Sequence, residues 1–262
     1  MKKIFSFIPA LCISVLLLAQ DNSVYQKQIF IKDNDTLRFR ILYPTNYKED
    51  KKYPLLVFLH GSGERGNDNE LQLVHGAKLF ADTRYREQFP AIVIFPQCAA
   101  NDSWTQLKRV KSKADSTKWV LEFPSDVPMT KALALVSNLL DSMAAFGRVD
   151  KKSIYVGGLS MGGFGTFEIL WRKPGFFAAA FPICGGGNES KVSLYGKKFP
   201  IWIFHGGADP VVDVSNSRRM AAALKAVGAK VKYSEYAGVG HNSWDNAFEE
   251  PELLPWLFGQ KK

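Results

Sequence analysis

Residues 154–165 read Ile-Tyr-Val-Gly-Gly-Leu-Ser-Met-Gly-Gly-Phe-Gly, an apolar, β-rich run that closes in a G-x-S-x-G pattern. Thr166 to Trp171 continue as helix formers, so a strand precedes the pattern and a helix follows it. This setting restricts the possible folds more than any other segment. A serine hydroxyl is a poor nucleophile until a base takes its proton and the backbone holds it clear of its neighbours. A sharp strand-to-helix turn does the second job, and glycines at 158 and 162 leave room for strand and helix to close around Ser160.

Such a turn calls for an acid and then a histidine further along the chain, and both are present. Pro200-Ile201-Trp202-Ile203-Phe204 has a buried-strand pattern and runs into His205-Gly206-Gly207-Ala208-Asp209. Val231 to Tyr236 alternates like a strand and runs into Ala237-Gly238-Val239-Gly240-His241. Ser160, Asp209 and His241 thus all fall at C-terminal strand ends, the edge on which open α/β sheets build sites. His241 is the expected base and Asp209 the acid that orients it. The chain has four histidines. Of the other three, His60 and His205 precede glycine at strand ends and read as loop braces, while His75 falls in an apolar-polar helical stretch. Asp213 and Asp245 compete with Asp209. Asp213 enters the next helix, where a carboxylate commonly caps, and Asp245 follows the base in a segment of helical character.

Acyl chemistry also requires donors for an oxyanion. The backbone N–H of Met161, directly after the serine, is one candidate. The other is the N–H of Ser62, in the loop His60-Gly61-Ser62-Gly63 after the strand Leu55 to Leu59. That loop also spells G-x-G-x-x-G over residues 61–66. A dinucleotide site needs a helix at once and an acid ending the next strand. Asn67-Asp68-Asn69 follow instead, and the next strand, Ala91 to Phe95, ends in Pro96-Gln97. No nucleotide cofactor is expected. No Cys/His spacing suggests a metal.

Met1-Lys2-Lys3, then apolar Ile4 to Leu18, then Ala19-Gln20 before polar Asp21-Asn22-Ser23, reads as a secretory signal peptide over residues 1–20. The apolar stretch, interrupted by Pro9, falls short of the ~20 residues a spanning helix needs, so no membrane anchor is expected after cleavage. Residues 21–262 suit a single α/β domain. The net charge of +9 comes from scattered cations, apart from a run of Lys108, Arg109, Lys111 and Lys113. That run lacks interleaved aromatics and any nucleic-acid motif, so it reads as a solvated loop face rather than a nucleic-acid surface, with attraction of acidic glycans as the alternative.

Tyr25–Ile31 and Thr36–Tyr43 alternate around Asp33-Asn34-Asp35, an N-terminal β-hairpin. Core strands are expected near 55–59, 91–95, 154–158, 178–183, 201–205 and 231–236. Helices are expected near 69–80, 129–146, 163–172 and 214–227, the second opened by Pro128. Strands alternating with helices give a mostly parallel sheet covered on both faces.

Together, Leu59-His60-Gly61-Ser62-Gly63-Glu64-Arg65-Gly66, Phe95-Pro96-Gln97-Cys98, Gly158 to Gly165, His205-Gly206-Gly207-Ala208-Asp209 and His241 with Trp244 resemble the α/β-hydrolase superfamily. Within it, the chain resembles compact secreted feruloyl and acetyl-xylan esterases and prolyl-oligopeptidase-like predicted peptidases and phospholipases. The resemblance implies an α/β-hydrolase fold and a cofactor-free serine carboxylic-ester hydrolase, exported and acting on feruloyl or acetyl esters of plant polysaccharide. A serine peptidase or a broad phospholipase/carboxylesterase is the alternative. It further implies that the region from Gln97 to about Pro128 shapes the acyl pocket, with Gln97, Trp104 and Trp119 as substrate contacts; the alternative is that Trp104, Trp119 and Phe123 simply pack this loop onto the body. Finally, it implies a strand order that separates Cys98 from Cys184 by three inter-strand steps, about 14 Å, too far for a disulfide.

Overall fold

A computed structural model describes residues 22–111, 115–117 and 119–262. The signal peptide read over residues 1–20, and Lys113 of the basic run, lie outside them. The chain begins as a hairpin of β1 (Gln26–Lys32) and β2 (Asp35–Leu42), turned by Asp33 and Asn34 at φ 50° and 64°. β3 (Tyr53–Leu59), β4 (Ile92–Gln97), β7 (Val149–Leu159), β8 (Ala179–Ile183), β9 (Pro200–Gly206) and β10 (Lys230–Tyr236) run parallel. With the hairpin they make an eight-stranded sheet in the order β1-β2-β4-β3-β7-β8-β9-β10. This is the α/β-hydrolase arrangement, with its N-terminal antiparallel hairpin.

Strand alternation divides the core in two. Leu55, Val57, Val156, Ile201 and Ile203 face α3 (Lys131–Ala145), α4 (Met161–Arg172) and α5 (Ser215–Ala226). Leu56, Phe58, Tyr155, Phe181 and Phe204 face α1 (Ala77–Ala81), α2 (Thr83–Gln88), α6 (Trp244–Glu249) and α7 (Leu253–Phe258). Strands buried on both faces are continuously apolar, which is why they were legible as short hydrophobic runs. The connection reverses direction between β3 and β7: β4 lies on one side of β3 and every later core strand on the other. The crevice above such a switch point is where open α/β sheets bind ligands.

Several boundaries differ from the sequence reading. The helix expected over 69–80 is broken into a 3-10 turn, Leu71–Leu73, and α1, because Gly76 between them takes φ 82°. α3 starts at Lys131 rather than at Met129, because Thr130 Oγ1 accepts the Leu133 N–H and Asp102 accepts that of Ala132. The segment after Gln97 contains an unexpected two-stranded hairpin, β5 (Lys108–Lys111) and β6 (Trp119–Glu122). β5 is cationic and each strand has only four residues, too few to show a strand period. Among the described residues, no helix is long and apolar enough to cross a membrane.

Cys98 and Cys184 follow β4 and β8, with β3 and β7 between those strands, and both are free and fully buried. Burial pushes the Cys98 thiol up to about 12 and the Cys184 thiol higher still. In protein lacking residues 1–20, both thiols should titrate after denaturation without reductant, and neither should react promptly in the native state. Finding no free thiol after denaturation would overturn this strand separation.

Candidate active site

β7 carries its apolar run to Leu159, and α4 opens at Met161. Ser160 sits between them at φ 52°, ψ −116°, a conformation that costs a non-glycine residue roughly 1–3 kcal/mol. The surroundings leave it no relaxed alternative. Its N–H donates to Ile183 O at 2.9 Å, and the first turn of α4 presses on β3 so closely that a Cβ at Gly162 would lie 1.9 Å from Leu59 O.

The sharp turn aims the Ser160 hydroxyl at His241, whose Nε2 lies 3.0 Å from Oγ. His241 Nδ1–H donates to Asp209 Oδ2 at 2.8 Å. Asp209 is itself over-determined. Oδ1 accepts the N–H groups of Val211 at 2.8 Å and Val212 at 2.9 Å, and the side chain is fully buried. The competing acids are engaged elsewhere: Asp213 accepts the Ser215 N–H at the entry to α5, and Asp245 lies in α6 and accepts from Asn242. Trp244 packs its ring edgewise on His241 at 5.4 Å and at a tilt on His75 at 4.9 Å.

The sequence reading missed one member of this constellation. His205, read as a loop brace, places Nε2 3.3 Å from Asp209 Oδ2 and 2.9 Å from Val212 O. Its Nδ1 faces the Ser217 hydroxyl at 2.7 Å, and that hydroxyl reaches Gly185 O at 3.0 Å. Burial holds the pKa of His205 below the usual histidine value. Nε2–H is turned towards Val212 O and the carboxylate. The i, i+4 spacing of His205 and Asp209 around a strand-end turn was the available signal.

The loop after β3 lies beside the serine: a Cβ on Gly61 would come within 3.7 Å of Ser160 Cβ. Ser62 opens a short 3-10 turn, Ser62–Glu64, and Met161 opens α4, so each carries an N–H without an intrahelical acceptor. His60 braces the loop from below. Its Nε2 accepts the Cys98 N–H at 2.9 Å, which leaves Nδ1–H to donate to Gly61 O at 2.6 Å. Burial pushes its pKa down to about 4.

Two expected substrate contacts are placed otherwise. Trp104 is 0% exposed. Its Nε1–H donates to His60 O at 2.9 Å and its ring packs against that imidazole, so it is a core prop rather than a rim. Gln97 is also buried, accepting the Asn69 N–H at 2.7 Å and donating to Asp68 at 2.8 Å. It ties the 61–70 loop to β4. Only Trp119, on β6, is solvent-facing, at 50% exposure.

Cys184 Sγ, an Asp209 oxygen and a His241 nitrogen lie within 4.8 Å of one another, a grouping of three potential metal ligands among the described residues. Burial keeps the thiol protonated, and the carboxylate and imidazole are already paired with each other. The donor set suits a hydrogen-bonded relay better than a cation.

The sequence pattern of the Phospholipase/Carboxylesterase family matches residues 44–251. The chain belongs to that family. It is a carboxylesterase/phospholipase-type α/β hydrolase. A thermostable esterase of known structure superposes with a TM-score of 0.81 at 37% identity, covering 92% of this chain and 64% of that one. This chain therefore spans just under two thirds of that esterase. Mouse lysophospholipase-like protein 1 is 26% identical over 211 residues, 77% of this chain and 84% of its own. The bifunctional acetylxylan esterase/xylanase XynS20E of Neocallimastix patriciarum is 31% identical over 134 residues, 48% of this chain and 18% of its own length.

The low pKa of His60 has a stability consequence. The unfolded chain binds a proton near pH 6.5 that the folded chain refuses until about pH 4, so folding loses stability as pH falls through this window. The loss approaches about 3 kcal/mol at the acid end. His60→Gln, which keeps an acceptor for Cys98 N–H but does not titrate, should flatten the fall in Tm between pH 6.5 and 4. An unchanged slope would show that other groups set the acid limit.

Proposed function

We propose that this family member is a serine carboxylic-ester hydrolase working through an acyl-enzyme. The observation that carries the reading is the continuous hydrogen-bond relay from Ser160 Oγ through His241 to a buried Asp209, starting from a strained turn. His241 Nε2 takes the Ser160 proton as Oγ attacks the ester carbonyl. The N–H groups of Met161 and Ser62 hold the oxyanion. Collapse of the tetrahedral intermediate breaks the ester C–O bond, and the alcohol leaves with the proton from His241. Water, deprotonated by the same imidazole, then attacks the acyl-serine and regenerates the enzyme. Asp209 stays ionised and fixes the tautomer.

For substrate, we propose feruloyl or acetyl esters of plant polysaccharide. The acetylxylan esterase similarity supports this, as does the polar ground around Asp209, where Asp213, Ser215 and Asn216 line an open cleft. A positively charged, then apolar leader over residues 1–20 supports export to where such polymers are found.

Ser160→Ala should lower turnover of p-nitrophenyl acetate roughly a million-fold with the fold intact by circular dichroism. Activity within tenfold of wild type would sink the nucleophile assignment. Asp209→Asn should cost about four orders of magnitude, far more than Asp213→Asn. A larger loss from Asp213→Asn would mean that the acid is misassigned. Methyl ferulate and acetylated xylan, set against peptide p-nitroanilides and lysophospholipid, test the substrate class. Preference for either of the latter two would replace it.

His205→Asn should lower kcat about tenfold with little change in KM, the effect of losing one donor worth about 1–1.5 kcal/mol from the orienting carboxylate. His205→Gln, which can return an N–H near the position of Nε2, should recover most of that rate. Equal losses in both variants would assign His205 to packing alone.

A further inference from the structure

The β5–β6 hairpin pairs Lys108 with Glu122, Arg109 with Leu121, Val110 with Val120 and Lys111 with Trp119. Strand alternation therefore places Arg109, Lys111, Trp119 and Leu121 on one face. The face is compact. The Arg109 guanidinium lies 5.4 Å and the Lys111 ammonium 4.5 Å from the centre of the Trp119 ring.

That face is held in place beside the site. Leu121 packs on a small cluster of Phe123, Phe164 and Val212. Phe164 lies one turn beyond Ser160 on α4, its N–H bonded to Ser160 O, and Val212 N–H binds the Asp209 carboxylate. The base of the segment is pinned as well: Asn188 donates to Phe123 O at 2.6 Å and Arg172 to Val127 O at 2.6 Å. Between the hairpin and the Asp209 loop lies an open cleft of about 720 Å³, with Arg109 and Trp119 on one wall and Pro210, Val211 and Asp213 on the other.

Charge is unevenly satisfied around this cleft. Asp213 is occupied by Ser215 N–H, and Arg219 by Glu189 at 2.7 Å and Asn216 at 3.0 Å. Arg109 and Lys111 have no carboxylate partner among the described residues; their recorded contacts are with the Trp119 ring. Two uncompensated cations thus flank a half-exposed indole in a cleft with polar walls. A flat aromatic face suits the C–H face of a pyranose, and a guanidinium suits a carboxylate by paired hydrogen bonds. An acyl chain would need an apolar channel, which Asp213, Ser215, Asn216 and Arg219 do not provide.

We propose that the β5–β6 hairpin forms a subsite for an anionic sugar, a uronate borne by the polysaccharide that carries the ester. The sugar ring stacks on Trp119 and its carboxylate pairs with Arg109 and Lys111. Without Lys2 and Lys3 of the leader the net charge falls from +9 to +7, which still adds a long-range attraction for a polyanionic chain. The polysaccharide part rests on the substrate reading above, but the test reads binding rather than hydrolysis, so failure of either is seen separately.

The experiment is titration calorimetry, at low salt, of the protein lacking residues 1–20. The probes are an unesterified xylo-oligosaccharide bearing one glucuronic acid branch and the same oligosaccharide without the branch. The charged probe should bind at least about tenfold tighter, with the advantage shrinking as salt rises. The R109A/K111A double variant should erase the difference while keeping affinity for the neutral chain. Trp119→Ala should weaken both. Equal affinity of the wild type for the two probes overturns the subsite, as does an equal loss for both in R109A/K111A. A third arm presents phosphatidylglycerol vesicles. Tighter binding to these than to the charged oligosaccharide would overturn the sugar assignment in favour of an anionic lipid surface.

Discussion

The close packing of the end of β3 against the first turn of α4 is the contact on which the rest of the site depends. Leu59 O leaves no room for a side chain at Gly162, so strand, turn and helix are locked in one arrangement and Ser160 is held at positive φ between them. The same contact brings the loop after β3 to the serine, with Gly61 beside Ser160. One backbone approach thus positions both the hydroxyl and the neighbouring N–H groups. The strain of the turn is tolerable because buried strands on either side, β3 and β8, over-determine it.

Around this contact the polar groups are arranged in order of burial. Asp209 is fully buried, yet it accepts two backbone N–H groups and the N–H of His241, with His205 also turned towards it. A buried carboxylate with that many donors stays in place without needing a formal counter-charge. The histidines divide by environment. His60 and His205 are buried, and burial lowers the pKa of both, one under the loop after β3 and one behind the acid. His241 is partly open and links the serine to the acid.

The long segment between β4 and α3 is fixed at both ends. Trp104, Thr105 and Asp102 tie its start to His60 O, Glu168 and the N-terminus of α3. Phe123 and Val127 tie its end to Asn188 and Arg172. The hairpin rises between these anchors. A segment fastened so firmly at both ends can vary at its tip without disturbing the relay, and surface loops on rigid scaffolds commonly carry specificity for that reason.

The sequence by itself determined the elbow, the order of serine, acid and histidine, the alternation of strands and helices, and the family. These depend on local pattern: buried strands are apolar runs, and a strand-to-helix turn around a serine leaves glycines in fixed places. The tertiary structure alone decided which way side chains from distant segments face. Trp104 and Trp119 are both tryptophans in one long connection, yet one is a core prop and the other a surface face, because one precedes the hairpin beneath His60 and the other lies on its outer strand. His205 is separated from Asp209 by a turn whose curvature brings the ring back to the carboxylate. The hairpin escaped notice because β5 is cationic and each strand is only four residues long, too short to show a period-2 signal. Contacts of this kind are made by closing loops between strand ends, and no local pattern encodes that closure.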